Sequence, residues 1–186
     1  MVFPRLEDGS RAYSVVERSD GVRFRLDGGV AGAKLPHDLA HLIVERETGL
    51  DAGFWGAVSA GAVFRSMTHL DGRRPPHARD RSAAVLRERR DGLRRAELVV
   101  WLTERVARGG ATSTQRVRAA AREALSTMPG TSVDPERVIA AARALREAEQ
   151  RWARLRPGEE IVAEWPEPRS RRPRAGRRPD AAGRPA

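Results

Sequence analysis

The chain has 186 residues, 40% hydrophobic and 32% charged, with no cysteine and a formal net charge of +10. That length carries one core of useful size, and that composition suits a folded globular chain better than a disordered one. The missing cysteine excludes disulfides, thiolate zinc sites and cysteine nucleophiles.

No apolar run approaches the ~20 residues of a membrane span. The opening MVFPRLEDGSR lacks the basic-then-apolar pattern of a secretory signal. The expected compartment is the cytoplasm, with no membrane partner. The basic residues are nearly all Arg, with one lysine, Lys34. Such a composition, rich in Arg, Ala, Gly and Pro, is what a GC-rich genome would encode. Half of the net charge lies beyond Trp165.

In chain order, Val2 to Leu6 can add a short edge strand, where Pro4 is tolerated. Residues 12–27, AYSVVERSDGVRFRLD, predict a β-hairpin around the turn signal SDG. In its second strand Val22, Phe24 and Leu26 alternate with Arg23 and Arg25, one face buried and one wet. In the first strand either Tyr13 and Val15 or Ser14 and Val16 face inward; alternation alone does not choose. DGGVAGAK is a loop. Pro36 then opens a helix and Gly49 closes it as a left-handed cap. Asp51 is the expected cap of a second helix, AGFWGAVSAGAVFRSM. Its Gly53, Ala57, Ala60 and Gly61 line one face with small residues. Each internal glycine costs about 1 kcal/mol against alanine, so a close approach of the first helix is expected there.

Residues 68–81, THLDGRRPPHARDR, read as a polar linker. A long helical region is expected from Ser82 to about Arg108, broken near Gly92 and ended by Gly109-Gly110. Thr112 or Ser113 caps the next helix, which stops before Pro129-Gly130. Asp134-Pro135 starts a final long helix. Its Val138, Ala142, Leu145, Ala148, Trp152 and Leu155 form one apolar stripe. EIVAEWP reads as a last strand, with Ile161, Ala163 and Trp165 on one face, pairing with the N-terminal hairpin. The expected fold is α+β: a small antiparallel sheet covered by several helices, one domain over 1–165. The tail 166–186 has almost nothing apolar to bury and is expected to be disordered.

The chemistry-bearing motif is LPHDLAHLIVE, residues 35–45. At 100° per residue, His41 lies about 40° around the helix from His37, Glu45 about 80° and Asp38 about 100°. Two His at i and i+4 can share one metal ion, the spacing that zinc-protease helices use in HExxH. His37 and His41 are the candidate ligands, zinc the candidate ion, and Asp38 the candidate base on a metal-bound water. Asp38 stands where that motif has the longer Glu. Glu45 lies about 12 Å along the axis from His37, too far to join both His on one ion. A third ligand must come from elsewhere, with His69, His77, Asp51 and Asp71 the nearest by sequence.

The HDxxH string is similar to the motif of the ubiquinone-biosynthesis scaffold family, which pairs it with a later Gly-Glu. LDAGFWG has no such Glu, so no function carries over. LPHDLAHLIVERETGL, GFWGAVSAGAVF and the closing LRPGEEIVAEWP together resemble a family of small bacterial proteins with no established activity. The resemblance spans roughly 12–165 and is densest over 35–64. It implies the fold outline and the start of the tail, and no reaction.

Three functions of different class follow. The first is a non-enzymatic domain that binds an unidentified protein partner, because no Walker loop, dinucleotide fingerprint or nucleophile elbow occurs. The second is a metal-binding protein, a hydrolase if Asp38 acts as base. The third is weak, non-specific binding of nucleic acid or another polyanion through Arg169, Arg171, Arg172, Arg174, Arg177 and Arg178.

Overall fold

The computed structural model describes residues 1–110 and 113–166. The expectations placed on Thr112 and on the arginines of the tail lie outside the described residues.

The strands are β1 (Val2–Pro4), β2 (Arg11–Glu17), β3 (Arg23–Val30), β4 (Met67–Asp71) and β5 (Glu160–Val162). They form one antiparallel sheet in the order β4-β3-β2-β1-β5. The helices are α1 (His37–Thr48), α2 (Phe54–Ser59), α3 (Ala78–Glu88), α4 (Arg90–Gly109), α5 (Thr114–Ala124) and α6 (Pro135–Arg154). The fold is α+β, with these helices on the sheet.

The hairpin forms as its alternation predicts. Val22, Phe24 and Leu26 are buried, and in β2 it is Ser14 and Val16 that turn inward. On the wet face Arg25 lies over the Tyr13 ring, 4.5 Å from its centroid, and Arg23 pairs with Asp71 at 2.9 Å. Phe3, Val16, Phe24 and Ile161 of the sheet meet Leu39, Leu42, Trp55, Leu102, Val138 and Leu145 of the helices in the main core. A smaller cluster of Val44, Leu50, Ala96, Val99, Val100 and Leu125 joins α1, α4 and the end of α5.

Several details differ from the sequence-based expectation. β1 is an inner strand, paired with β2 on one side and β5 on the other. The closing strand therefore pairs with β1 and not with the hairpin. The polar stretch 68–81 contains most of β4, which pairs with β3, and the first turn of α3. The helical region breaks at Arg89, one residue between α3 and α4. Gly92 sits inside α4, at a point where a Cβ would lie 2.4 Å from the Ala52 carbonyl oxygen, so the glycine serves a close approach and not a break. The second helix is shorter than its small-residue pattern suggests, ending at Ser59.

Two helix boundaries follow local chemistry. α1 starts after Pro36 and ends on Gly49 at φ 72°, a left-handed cap that glycine adopts without strain. α6 starts at Pro135, with the Asp134 side chain accepting from the Glu136 N–H at 3.0 Å.

Candidate metal centre

α1 carries the motif and is amphipathic in an unusual way. Leu39, Leu42, Ile43 and Val44 are buried, but so are His41 at 3% exposure and Glu45 at 0%. A buried carboxylate must find hydrogen-bond donors, and Glu45 has three. Its Oε1 accepts from the Phe54 N–H at 2.9 Å and its Oε2 from the Trp55 N–H at 3.0 Å. Its third partner is His41, whose Nδ1 lies 2.9 Å from Oε1. Glu45 thus caps α2 from another helix, the role the sequence suggested for Asp51. The N-cap residue is Gly53, and a Cβ there would lie 2.5 Å from the Glu45 carboxyl group. The close approach expected along the small-residue face is thus made at Gly53 by a side chain of α1 and not by its backbone, while a Cβ at Gly61 would meet nothing within 4 Å.

With Nδ1 held by Glu45, the other ring nitrogen of His41 faces Glu97, and the residue lines a cavity. Nε2 is buried without a hydrogen-bond partner. It lies 3.5 Å from Oε2 of Glu97 on α4, and the His37 and His41 ring centroids are 4.6 Å apart. His37, His41 and Glu97 each offer one ligand atom, all within 4.8 Å of one another. A tetrahedral ion bound at 2.0–2.2 Å holds its ligand atoms about 3.3 Å apart. His37 and Glu97 are exposed side chains that can rotate through that difference.

The donor set fits a divalent transition ion. Two imidazoles and one carboxylate, with coordination positions left over, suit zinc or iron(II). A carboxylate on the far nitrogen of a ligating His fixes its tautomer and raises its basicity, and Glu45 is so placed. In the absence of an ion, burial pulls the His41 pKa down. The hydrogen bond to Glu45 and the carboxylates of Glu45 and Glu97 close by outweigh that and push it up to about 9. The same proximity holds the Glu97 carboxyl below its ordinary range, the His41 imidazole at 3.5 Å acting against partial burial.

Asp38 stands apart from this trio. Its Oδ2 accepts from the Ser14 hydroxyl at 2.5 Å, and its backbone carbonyl accepts from the Trp55 indole N–H at 2.8 Å. Burial raises its pKa against the lowering effect of the Ser14 bond. It lines, with His37, His41 and Glu97, a cavity of about 430 Å³. None of the four nearest candidates for a third ligand joins the trio. His69 Nε2 bonds the Gly72 carbonyl, Asp71 pairs with Arg23, and His77 lies beside Asp80. Asp51 lies at the turn before α2, where its carbonyl takes the Arg89 guanidinium.

Glu97 was missed by sequence reasoning, since an exposed Glu beside buried Ala96 carries no local mark of its partner. The contact between α1 and α4 brings it to His41. No family model, no curated protein and no solved structure matches this chain.

Proposed function

We propose that this protein binds a divalent metal ion, zinc in the first instance, through His37, His41 and Glu97 and presents it to a small molecule in the adjoining cavity. The observation that carries this reading is His41. Its Nδ1 is held by a fully buried carboxylate, while its buried Nε2 has no hydrogen-bond partner and faces two further ligand groups. Three protein ligands leave coordination open, as in catalytic zinc sites and unlike closed structural ones. When bound, zinc supplies Lewis acidity and a water acidified toward neutral pH. Glu45 orients His41. Asp38, held by Ser14 on the cavity wall, is the group that could take or return a proton, as a hydrolase would require.

A second reading is favoured by the raised pKa of His41. Here His41 is an imidazolium at neutral pH that ties α1 to Glu97 of α4 and, through Glu45, to α2. The protein then acts as a binding domain without a metal.

Elemental analysis and zinc titration decide between them, on wild type and on His41→Ala and Glu97→Gln. The metal reading expects near-stoichiometric zinc in wild type and much weaker binding in both variants. A wild-type protein that stays empty after zinc is offered leaves only the imidazolium brace.

A further inference from the structure

The cavity beside the trio holds about 430 Å³, within the range of small-molecule sites. Its walls are mostly apolar: Leu26 from β3, Leu35 from the loop before α1, Phe54 from α2 and Trp152 from α6. The wall is braced. The Trp152 indole N–H donates to the Gly32 carbonyl at 3.2 Å, and Phe54 stacks on Phe64 at 4.6 Å.

The charged groups are few and mostly committed. Asp27 is paired with Arg25 at 2.8 Å, and Asp38 is bonded by Ser14. In a chain so rich in arginine, none lines this cavity; the cation there is Lys34, the one lysine of the sequence. With an ion on His37, His41 and Glu97, that part of the cavity offers open coordination positions to an oxygen ligand, and much of the remaining wall is apolar. An ammonium group has no lone pair to offer the ion, whereas a carboxylate oxygen is a ligand zinc accepts. A neutral apolar molecule would leave those positions unused.

We infer that the cavity takes a small organic acid, its carboxylate directed to the bound metal and Lys34 and its apolar body against Leu26, Leu35, Phe54 and Trp152. This rests on the metal reading above. Apolar burial supplies affinity, and the open coordination positions of the ion, with Lys34 on the lining, select a head group that can ligate.

Cobalt(II) replaces zinc in such sites and gives visible bands that report its ligands. Wild type, His41→Ala, Lys34→Met and Leu35→Asn are titrated with cobalt, then with phenylacetate, acetate and phenethylamine. The cobalt bands and tryptophan fluorescence are followed. The inference expects phenylacetate to shift the wild-type bands and to bind about tenfold or more tighter than acetate, from burial of the ring. Phenethylamine, with the same ring and the opposite charge, should leave the bands in place. Leu35→Asn should keep the cobalt bands and lose most of the preference for phenylacetate over acetate. Lys34→Met should keep the bands and weaken both acids.

Absence of cobalt bands in wild type, or bands unchanged in His41→Ala, overturns the metal reading and this inference with it. Normal bands that phenylacetate does not shift, or that acetate shifts with equal affinity, overturn the inference alone. Phenethylamine binding as tightly as phenylacetate does the same. So does a Leu35→Asn protein with unaltered preference, or a Lys34→Met protein with unaltered affinity for the acids.

Discussion

Replacing Glu45 by glutamine changes one atom and removes a negative charge at the centre of the site. The Glu45 carboxylate accepts from the Phe54 and Trp55 N–H groups and from His41 Nδ1, with no exposure to solvent. A glutamine can place its oxygen where Oε1 stands and keep His41 and Phe54. Its NH₂ then faces the Trp55 N–H, donor against donor. The loss comprises a charge-assisted hydrogen bond and a buried N–H left unpaired, each about 1–3 kcal/mol and overlapping in part, so about 2–4 kcal/mol in all. Losing an outer-shell partner should also weaken zinc binding about 10–100-fold. Urea unfolding of the metal-free protein at pH 7, together with a zinc competition assay, checks both numbers. A loss of stability under about 0.5 kcal/mol would show that the carboxylate is not what anchors α2, and the reasoning about the site would fail at its base.

Other outcomes follow from the same geometry. Glu97→Gln should cost no more than about 1 kcal/mol of stability, because the side chain is 64% exposed, yet lower zinc affinity at least about tenfold; equal zinc affinity in the variant excludes Glu97 as a ligand. Gly53→Ala puts a Cβ 2.5 Å from the Glu45 carboxyl group and should cost about 1–3 kcal/mol by overpacking; a thermal midpoint equal to wild type would contradict the close approach.

The pH dependence has a definite sign. In the metal-free protein the His41 pKa stands at about 9 against an ordinary 6.5, because Glu45 and Glu97 outweigh the opposing effect of burial. Its contribution to stability is therefore fully present below about 6.5 and is lost as pH rises through about 9. Urea midpoints from pH 6 to 10 should fall over that window and flatten in Glu45→Gln. Zinc must displace the same proton, so its affinity should rise by about a factor of ten per pH unit across the window; a flat profile would mean that His41 does not bind the ion.

The sequence by itself determined those features that a few neighbouring residues decide. Pro36 and Gly49 bound α1, and Asp134-Pro135 starts α6, because caps act within a turn. The alternation of Val22, Phe24 and Leu26 put β3 half-buried, and the mix of such strands with amphipathic helices gave the α+β class. The spacing of His37 and His41 was legible for the same reason, since i and i+4 share a helix face whatever surrounds them.

Tertiary structure alone decided what each buried face meets. Periodicity shows that a face is covered and says nothing of the element that covers it. Val2–Pro4 became an inner strand because β5 returned to its free edge. Gly92, which reads as a break, is the point inside α4 where the chain at Ala52 comes too close for a side chain. Asp38, which the helix geometry grouped with the two histidines, turned to Ser14, while Glu45 turned inward to hold His41 and cap α2. Glu97 entered the site from α4 because α1 and α4 pack together, and charged groups on separate helices become partners only at the angle and height that packing sets.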